Sequence, residues 1–156
     1  MKNIIKELEN KMNDYSVDFV NDYYNADSMY LCDAISEFAD SNTSIHYSSI
    51  MEYISNNPEA VNNAINEFGW DGCGKDIYKA GQMAEYQEIQ NDIYDDLDNV
   101  IKLIAYKKAY NNYDLINPTE DQNKAIDDID CEGIDTDSRI EDIEDYVKSI
   151  IVSDND

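Results

Sequence analysis

Between Lys11 and Lys75 the chain has no lysine or arginine. Every charged side chain in that span is an acid: Asp14, Asp18, Asp22, Asp27, Asp33, Glu37, Asp40, Glu52, Glu59, Glu67 and Asp71. Over 156 residues, 35 Asp and Glu stand against 11 Lys and Arg, a net charge of -24. Compaction of such a chain works against self-repulsion, and like charges at i,i+4 on a helix each cost about 0.2 to 0.5 kcal/mol. The chain can fold only if apolar side chains collect on one face of each element and carboxylates on the other. It has the means, because 42% of its residues are hydrophobic and 13 are Tyr, whereas a disordered chain of this charge is poor in aromatics. A chain of this length can bury roughly 70% of its unfolded surface, enough for a core.

The apolar spacing is helical. Ile5, Leu8, Met12, Tyr15, Phe19 and Tyr23 recur every three or four residues and predict a first helix over about 2 to 24, with a break near Ser16. Asp27 or Ser28 can cap a helix carrying Tyr30, Leu31, Ala34, Ile35 and Phe38, and Thr43 or Ser44 a third with Ile50, Met51 and Ile54. Pro58 after Asn57 starts a fourth, which Gly69 ends. Past the loop of Gly69, Gly72 and Gly74, one long helix is expected over 76 to 110. Its stripe is Ile77, Ala80, Ala84, Gln87, Tyr94, Leu97, Ile101 and Ile104, widened by Ile89, Ile93 and Val100. After Asn117 and Pro118, shorter patterns surround Ile126, Ile129, Ile140, Ile143 and Val147. No period-two strand stands out. The expectation is an all-α, compact-to-elongated helical domain over 1–113 with one long helix, followed by an acidic helical C-terminal extension over 114–156.

Catalytic and metal chemistry finds little footing. His46 is the single histidine, with no positioned nucleophile or metal motif beside it. Gly69 to Asp76 follows phosphate-loop spacing as far as Lys75, then places Asp76 where a Ser or Thr holds magnesium. Asp128, Asp130, Glu132 and Gly133 open like a calcium loop, but Arg139 takes the place of the bidentate Glu. Cys32, Cys73 and Cys131 show neither a disulfide framework nor zinc spacing. Lys2, Lys6 and Lys11 alternate with Glu7 and Glu9, leaving no apolar run of signal or membrane length. A cytoplasmic protein with no enzymatic activity, cofactor or metal is expected.

The acids fall in rows. Asp14, Asp18 and Asp22 share one helix face, as do Asp33, Glu37 and Asp40, and Glu85, Glu88, Asp92, Asp95 and Asp96 mark the long helix. At about 1.5 Å rise per residue an i,i+4 row sets a charge every ~6 Å, and several such rows approach the charge density of duplex DNA, about one per 1.7 Å of axis. A field of this sign repels nucleic acid and anionic membranes and attracts proteins with basic clefts. Acidic faces also serve solubility alone, although a surface built only for that intersperses both signs. A second reading is an acidic helical scaffold or cation-binding protein recognised through apolar helix faces.

The segment Asp33-Ala34-Ile35-Ser36-Glu37-Phe38-Ala39-Asp40, followed by Tyr47 and Ile50, resembles the Ocr type of phage antirestriction protein. That family has D-A-I-x-x-x-A-D, then a Tyr and an Ile in the same register, then a looser segment and a long acidic helix. The resemblance covers about residues 15 to 110. It implies a helical homodimer whose carboxylates imitate DNA phosphates and occupy the DNA groove of host defence enzymes, of restriction-modification or CRISPR nuclease type, stoichiometrically. It implies Asp33, Glu37, Asp40, Glu85, Glu88, Asp92, Asp95 and Asp96 as mimic positions. The chain departs from that pattern in its longer C-terminal region and in Lys102, Lys107 and Lys108.

Overall fold

The computed structural model describes residues 2–43, 50–68 and 74–155. These form α1 (Lys2–Asn10), α2 (Asp14–Tyr23), α3 (Leu31–Asn42), α4 (Ile50–Asn56), α5 (Pro58–Phe68), α6 (Gly74–Asp95), α7 (Leu97–Tyr113), α8 (Glu120–Asp127) and α9 (Ile140–Asn155), with a 3-10 turn at Ile129–Glu132. The β-type pairing among the described residues is an isolated antiparallel bridge between Tyr30 and Arg139, so the all-α expectation holds. The helices group into two units, one of residues 1–35 and 92–156 and one of residues 36–91.

The first unit is built around α7. Leu103, Ile104, Ala105 and Tyr106 are consecutive and all buried. That happens only when a helix is covered on every side. The cover comes from α1, α2, α8, α9 and the 3-10 turn, which bring in Phe19, Val20, Ile126, Ile129, Ile140, Ile143 and Val147. Each fully buried Ile, Val or Phe side chain contributes about 1.5 to 3 kcal/mol. Residues 120 to 147 therefore supply part of this core and do not stand apart as an acidic extension.

The long helix expected over 76 to 110 is two helices, α6 and α7, because Asp96 leaves helical geometry (φ -100°, ψ 13°) and stands as the N-cap of α7. Tyr94, expected on the buried stripe, is exposed, whereas Ile89 and Ile93 are fully buried. The first helix also divides, at Lys11 to Asn13 and not at Ser16: Asn13 is the N-cap of α2 and its side chain accepts from Ser16 N. α7 ends on Asp114, in the left-handed region at φ 52°, which a short polar side chain tolerates better than most.

Two helix starts satisfy one another. The first N–H groups of α3, those of Leu31 and Cys32, donate to the carbonyls of Ser138 and Thr136 at 2.8 and 2.9 Å. The first N–H groups of α9, those of Ile140 and Glu141, donate to Met29 and Asp27 at 2.9 and 3.0 Å. Helix N-termini leave unpaired donors, and here the loop preceding each helix supplies the acceptors for the other. Asp27, one of the side chains expected to cap α3, pairs through Oδ1 with Lys108 at 2.6 Å. Arg139 also lies over the Tyr30 ring, 5.0 Å from its centroid.

In the second unit Val61 and Ala64 of α5 and Ala80 and Ala84 of α6 form a small buried cluster, against which Tyr53, Ile54, Ile65 and Met83 pack. α5 starts at Pro58 as its sequence predicts. Thr43 donates its hydroxyl back to the Ala39 carbonyl at 2.8 Å, at the end of α3 and not at the start of a following helix. His46, Ser44 and the start of the glycine loop, residues 69–73, lie outside the described residues.

Candidate partner-binding surface

α2 keeps its acids on one side and its core on the other. Asp14, Asp18 and Asp22 are exposed, while Ser16, Phe19 and Val20 are buried. Asp14 lies in the first turn, where a negative charge also interacts favourably with the helix dipole. On α3, Asp33, Glu37 and Asp40 are exposed, and Leu31, Ala34, Ile35, Phe38 and Ala39 are buried. Asp33 holds the corresponding first-turn position. Both rows thus stand on solvent-facing sides at the spacing their sequence predicts.

The third row behaves differently, residue by residue. Glu85 is only 8% exposed, because it precedes Ile89 and Ile93 by one and two turns and so shares their inward stripe. Glu88 is exposed and accepts a hydrogen bond from the Tyr53 hydroxyl at 3.0 Å. Asp92 is half-buried, and its backbone carbonyl accepts from the Asn13 amide at 2.7 Å. Asp96 Oδ2 accepts from Asn13 N at 2.8 Å, from Asn13 Nδ2 at 2.7 Å and from the Ser16 hydroxyl at 2.9 Å. Asp95 is exposed. Of the five acids assigned to a long exposed face, one is buried and another is committed to a polar knot at the start of α2.

No family model, curated protein or solved structure matches this chain. Its chemistry is read from its side chains.

An open cleft of about 340 Å³ in the first unit is lined by Ile4, Glu7, Leu8, Lys11, Tyr106, Asn123 and Asp127. It holds two carboxylates, but Asp127 accepts from the Tyr106 hydroxyl at 2.6 Å. Burial, together with that bond and the charge of Asp127, pushes the Tyr106 hydroxyl far above the usual tyrosine range. Tyr106 therefore stays a protonated donor across physiological pH. In the second unit another open cleft, of about 400 Å³, is lined by Asp40, Thr43, Gln82, Met83 and Tyr86. Among the described residues no group of three or more His, Cys, Asp or Glu is placed to hold a metal ion, and no helix is long and apolar enough to cross a membrane.

Two sets of polar residues escaped the sequence reading. One is Asn13 with Ser16, for which the run Asn13-Asp14-Tyr15-Ser16 was a legible helix-start signal. The other is the neighbourhood of Lys108, whose side chain has 0% exposure and pairs with Asp27 Oδ1 at 2.6 Å and Glu144 Oε2 at 2.8 Å. Glu144 also accepts from the Tyr113 hydroxyl at 2.7 Å. Burial pushes the Glu144 carboxyl up, but hydrogen bonds from Lys108, Tyr113 and Asn112 outweigh it and hold the group below the usual carboxylate value. Nothing in the sequence marks Lys108 apart from Lys107, which reaches Asn21 at 2.6 Å.

Proposed function

We propose that this protein is a DNA-mimicking, stoichiometric inhibitor whose carboxylate rows occupy the basic DNA-binding groove of a host defence enzyme of the restriction-modification class. The observation that carries the reading is the solvent exposure of Asp14, Asp18 and Asp22 on α2 and of Asp33, Glu37 and Asp40 on α3, in a stretch with no lysine or arginine between Lys11 and Lys75. A solubility surface gives no reason for so long a single-sign span. The resemblance of residues 33 to 40 to the Ocr type of antirestriction protein supports the same reading and extends it to a homodimer acting in the cytoplasm of the infected cell. The chain itself does not bind nucleic acid, because its net charge of -24 repels it.

The test is affinity capture from a bacterial lysate at low and at high salt, with duplex DNA as competitor and mass spectrometry of the bound proteins. A decoy retains DNA-binding enzymes at low salt and releases them to salt or duplex, since the lysines and arginines that it neutralises are those that meet phosphates. Replacing Asp14, Asp18 and Asp22 together by Asn should weaken inhibition at least tenfold and flatten its salt dependence by up to about three in log–log slope, roughly one per lost contact. The same outcome is expected for Asp33, Glu37 and Asp40, whereas Glu85→Gln should leave the slope unchanged. A salt-resistant catch unrelated to nucleic acid, or unchanged inhibition after both triple replacements, would sink the decoy reading.

A further inference from the structure

We infer that Asp96 is a positioning residue, the clamp that orients the acidic row of α2, and not itself one of the phosphate-mimicking contacts. The inference rests on the decoy reading above and reassigns one of the acids that the resemblance counts as a mimic.

Asp96 separates α6 from α7. A helix that stops leaves carbonyls without partners, and a helix that starts leaves N–H groups without partners. At this point three such ends meet within the first unit. The Asp92 carbonyl, in the last turn of α6, is taken by the Asn13 side-chain amide at 2.7 Å. The N-terminus of α2 is capped by the same side chain, whose Oδ1 accepts from Ser16 N at 2.9 Å. Asp96 closes the knot from the N-cap position of α7, with one carboxylate oxygen accepting from Asn13 N, Asn13 Nδ2 and the Ser16 hydroxyl. Ser16 is fully buried, and its single hydroxyl proton goes to Asp96, the nearest of its acceptors.

This knot holds the first turn of α2, the turn that carries Asp14, and through it the direction of the row Asp14, Asp18, Asp22. Asp96 Oδ2 already accepts three hydrogen bonds, which fix the orientation of the carboxylate and limit any lysine or arginine of a partner to Oδ1. Charge-assisted bonds to backbone and side-chain donors are stronger than neutral ones, and the anchored α7 is the most enclosed helix of the unit. A phosphate imitation depends on the placement of charges to within a fraction of their ~6 Å spacing, so a freely swivelling α2 would lose affinity with every acid still present.

The experiment compares Asp96→Asn with Asp96→Ala. Asn keeps an acceptor oxygen where Oδ2 stands and removes the charge, whereas Ala removes both. Two readouts are taken: amide hydrogen exchange over residues 13–17, and displacement of a fluorescent duplex from a purified restriction-modification methyltransferase across a salt series. The clamp predicts that Asp96→Asn retains amide protection and displaces duplex within about twofold of the parent, with an unchanged salt slope. Asp96→Ala should lose protection at residues 13–17 and weaken displacement at least tenfold. Asn13→Asp, which keeps the cap but sets a second carboxylate against Asp96, should reproduce the loss even where Asp96→Ala folds poorly. Equal losses for Asp96→Asn and Asp96→Ala, with a slope lower by about one, would make Asp96 a direct contact and overturn the inference. Undiminished protection in both Asp96→Ala and Asn13→Asp would also overturn it. If the parent protein displaces no duplex at all, the decoy reading falls, and the exchange data alone then decide whether Asp96 holds α2.

Discussion

Lys108 is a fully buried cation in a chain of net charge -24, and its surroundings show how that charge is used internally. Removing an ammonium from water costs several kcal/mol unless it is paired and hydrogen-bonded. Asp27, in the turn before α3, and Glu144, on α9, provide the pairing, so one side chain of α7 ties two acidic segments to the core. Glu144 makes a pH prediction possible. Its folded carboxyl lies below the ordinary value of 4.5, so its charged form stabilises the fold above that value, and the stability is lost as pH falls through the depressed folded value. Glu144→Gln should therefore cost about 2 kcal/mol near neutral pH, the worth of a hydrogen bond to a charged group. The gap from the parent should close on acidification below the carboxylate range. Denaturant melts from neutral to acidic pH measure this, and a gap that persists in acid would show that charge is not what Glu144 contributes. Tyr113 has the opposite sign: its hydroxyl is pushed up to about 12, first by its bond to Glu144 and then by burial, so its contribution holds at ordinary pH and is lost only as pH rises through that value.

Among the elements, helix ends carry more of the specificity than helix middles. α8 is short, from Glu120 to Asp127, and is held by a complete capping box: the Thr119 hydroxyl accepts from Gln122 N at 3.1 Å and Gln122 Oε1 accepts from Thr119 N at 2.9 Å. Eight residues are too few for a helix to persist on propensity, and its fully buried Ile126 contributes to the core only if the cap sets its direction. Thr119→Ala should destabilise the protein by about 1 kcal/mol, with Thr119→Ser close to the parent. Equilibrium unfolding of the three proteins tests this, and an equal loss in Thr119→Ser would point to the methyl group. The paired starts of α3 and α9 follow the same logic with backbone in place of side chains. The Asp96 break between α6 and α7 turns one predicted rod into two helices with separate roles.

For the whole molecule, salt should act in opposite directions on stability and on binding. With 35 acids and 11 bases, the folded state carries self-repulsion that screening relieves, and the Debye length shrinks from tens of ångströms at low salt to about 4 Å at about 0.5 M. Raising NaCl over that range should lift the melting temperature by about 3 °C or more, while inhibition of a DNA-binding enzyme weakens steeply. Calorimetry beside duplex displacement in the same buffers checks both. A melting temperature that falls with salt would mean that attractive pairs outweigh repulsion in the fold.

Much of this organisation was written in the chain, and the exceptions share a cause. Periodicity alone marked the inward and outward faces of α2 and α3, apart from Tyr30, which precedes α3 and is exposed, because the side of a helix on which a residue lies follows from 3.6 residues per turn and needs no knowledge of neighbours. Composition and the one-sided charge between Lys11 and Lys75 marked the acids as a surface feature for the same local reason. The burial of Glu85 was half legible, since Ile89 and Ile93 continue its stripe at intervals of four. The roles of Asp96 and Lys108 were not legible, nor was the tie from the local Asn13 cap to Asp96: these partners lie tens of residues away, from Asn13 to Asp96 and from Asp27 and Glu144 to Lys108. Enclosure of α7 on every side, which draws residues 120 to 147 into the core, likewise depends on which helices pack against it. Local pattern sets which way a side chain faces, but whether that direction meets water, a core or a hydrogen-bond partner is decided by contacts between segments distant in the chain, which no local window contains.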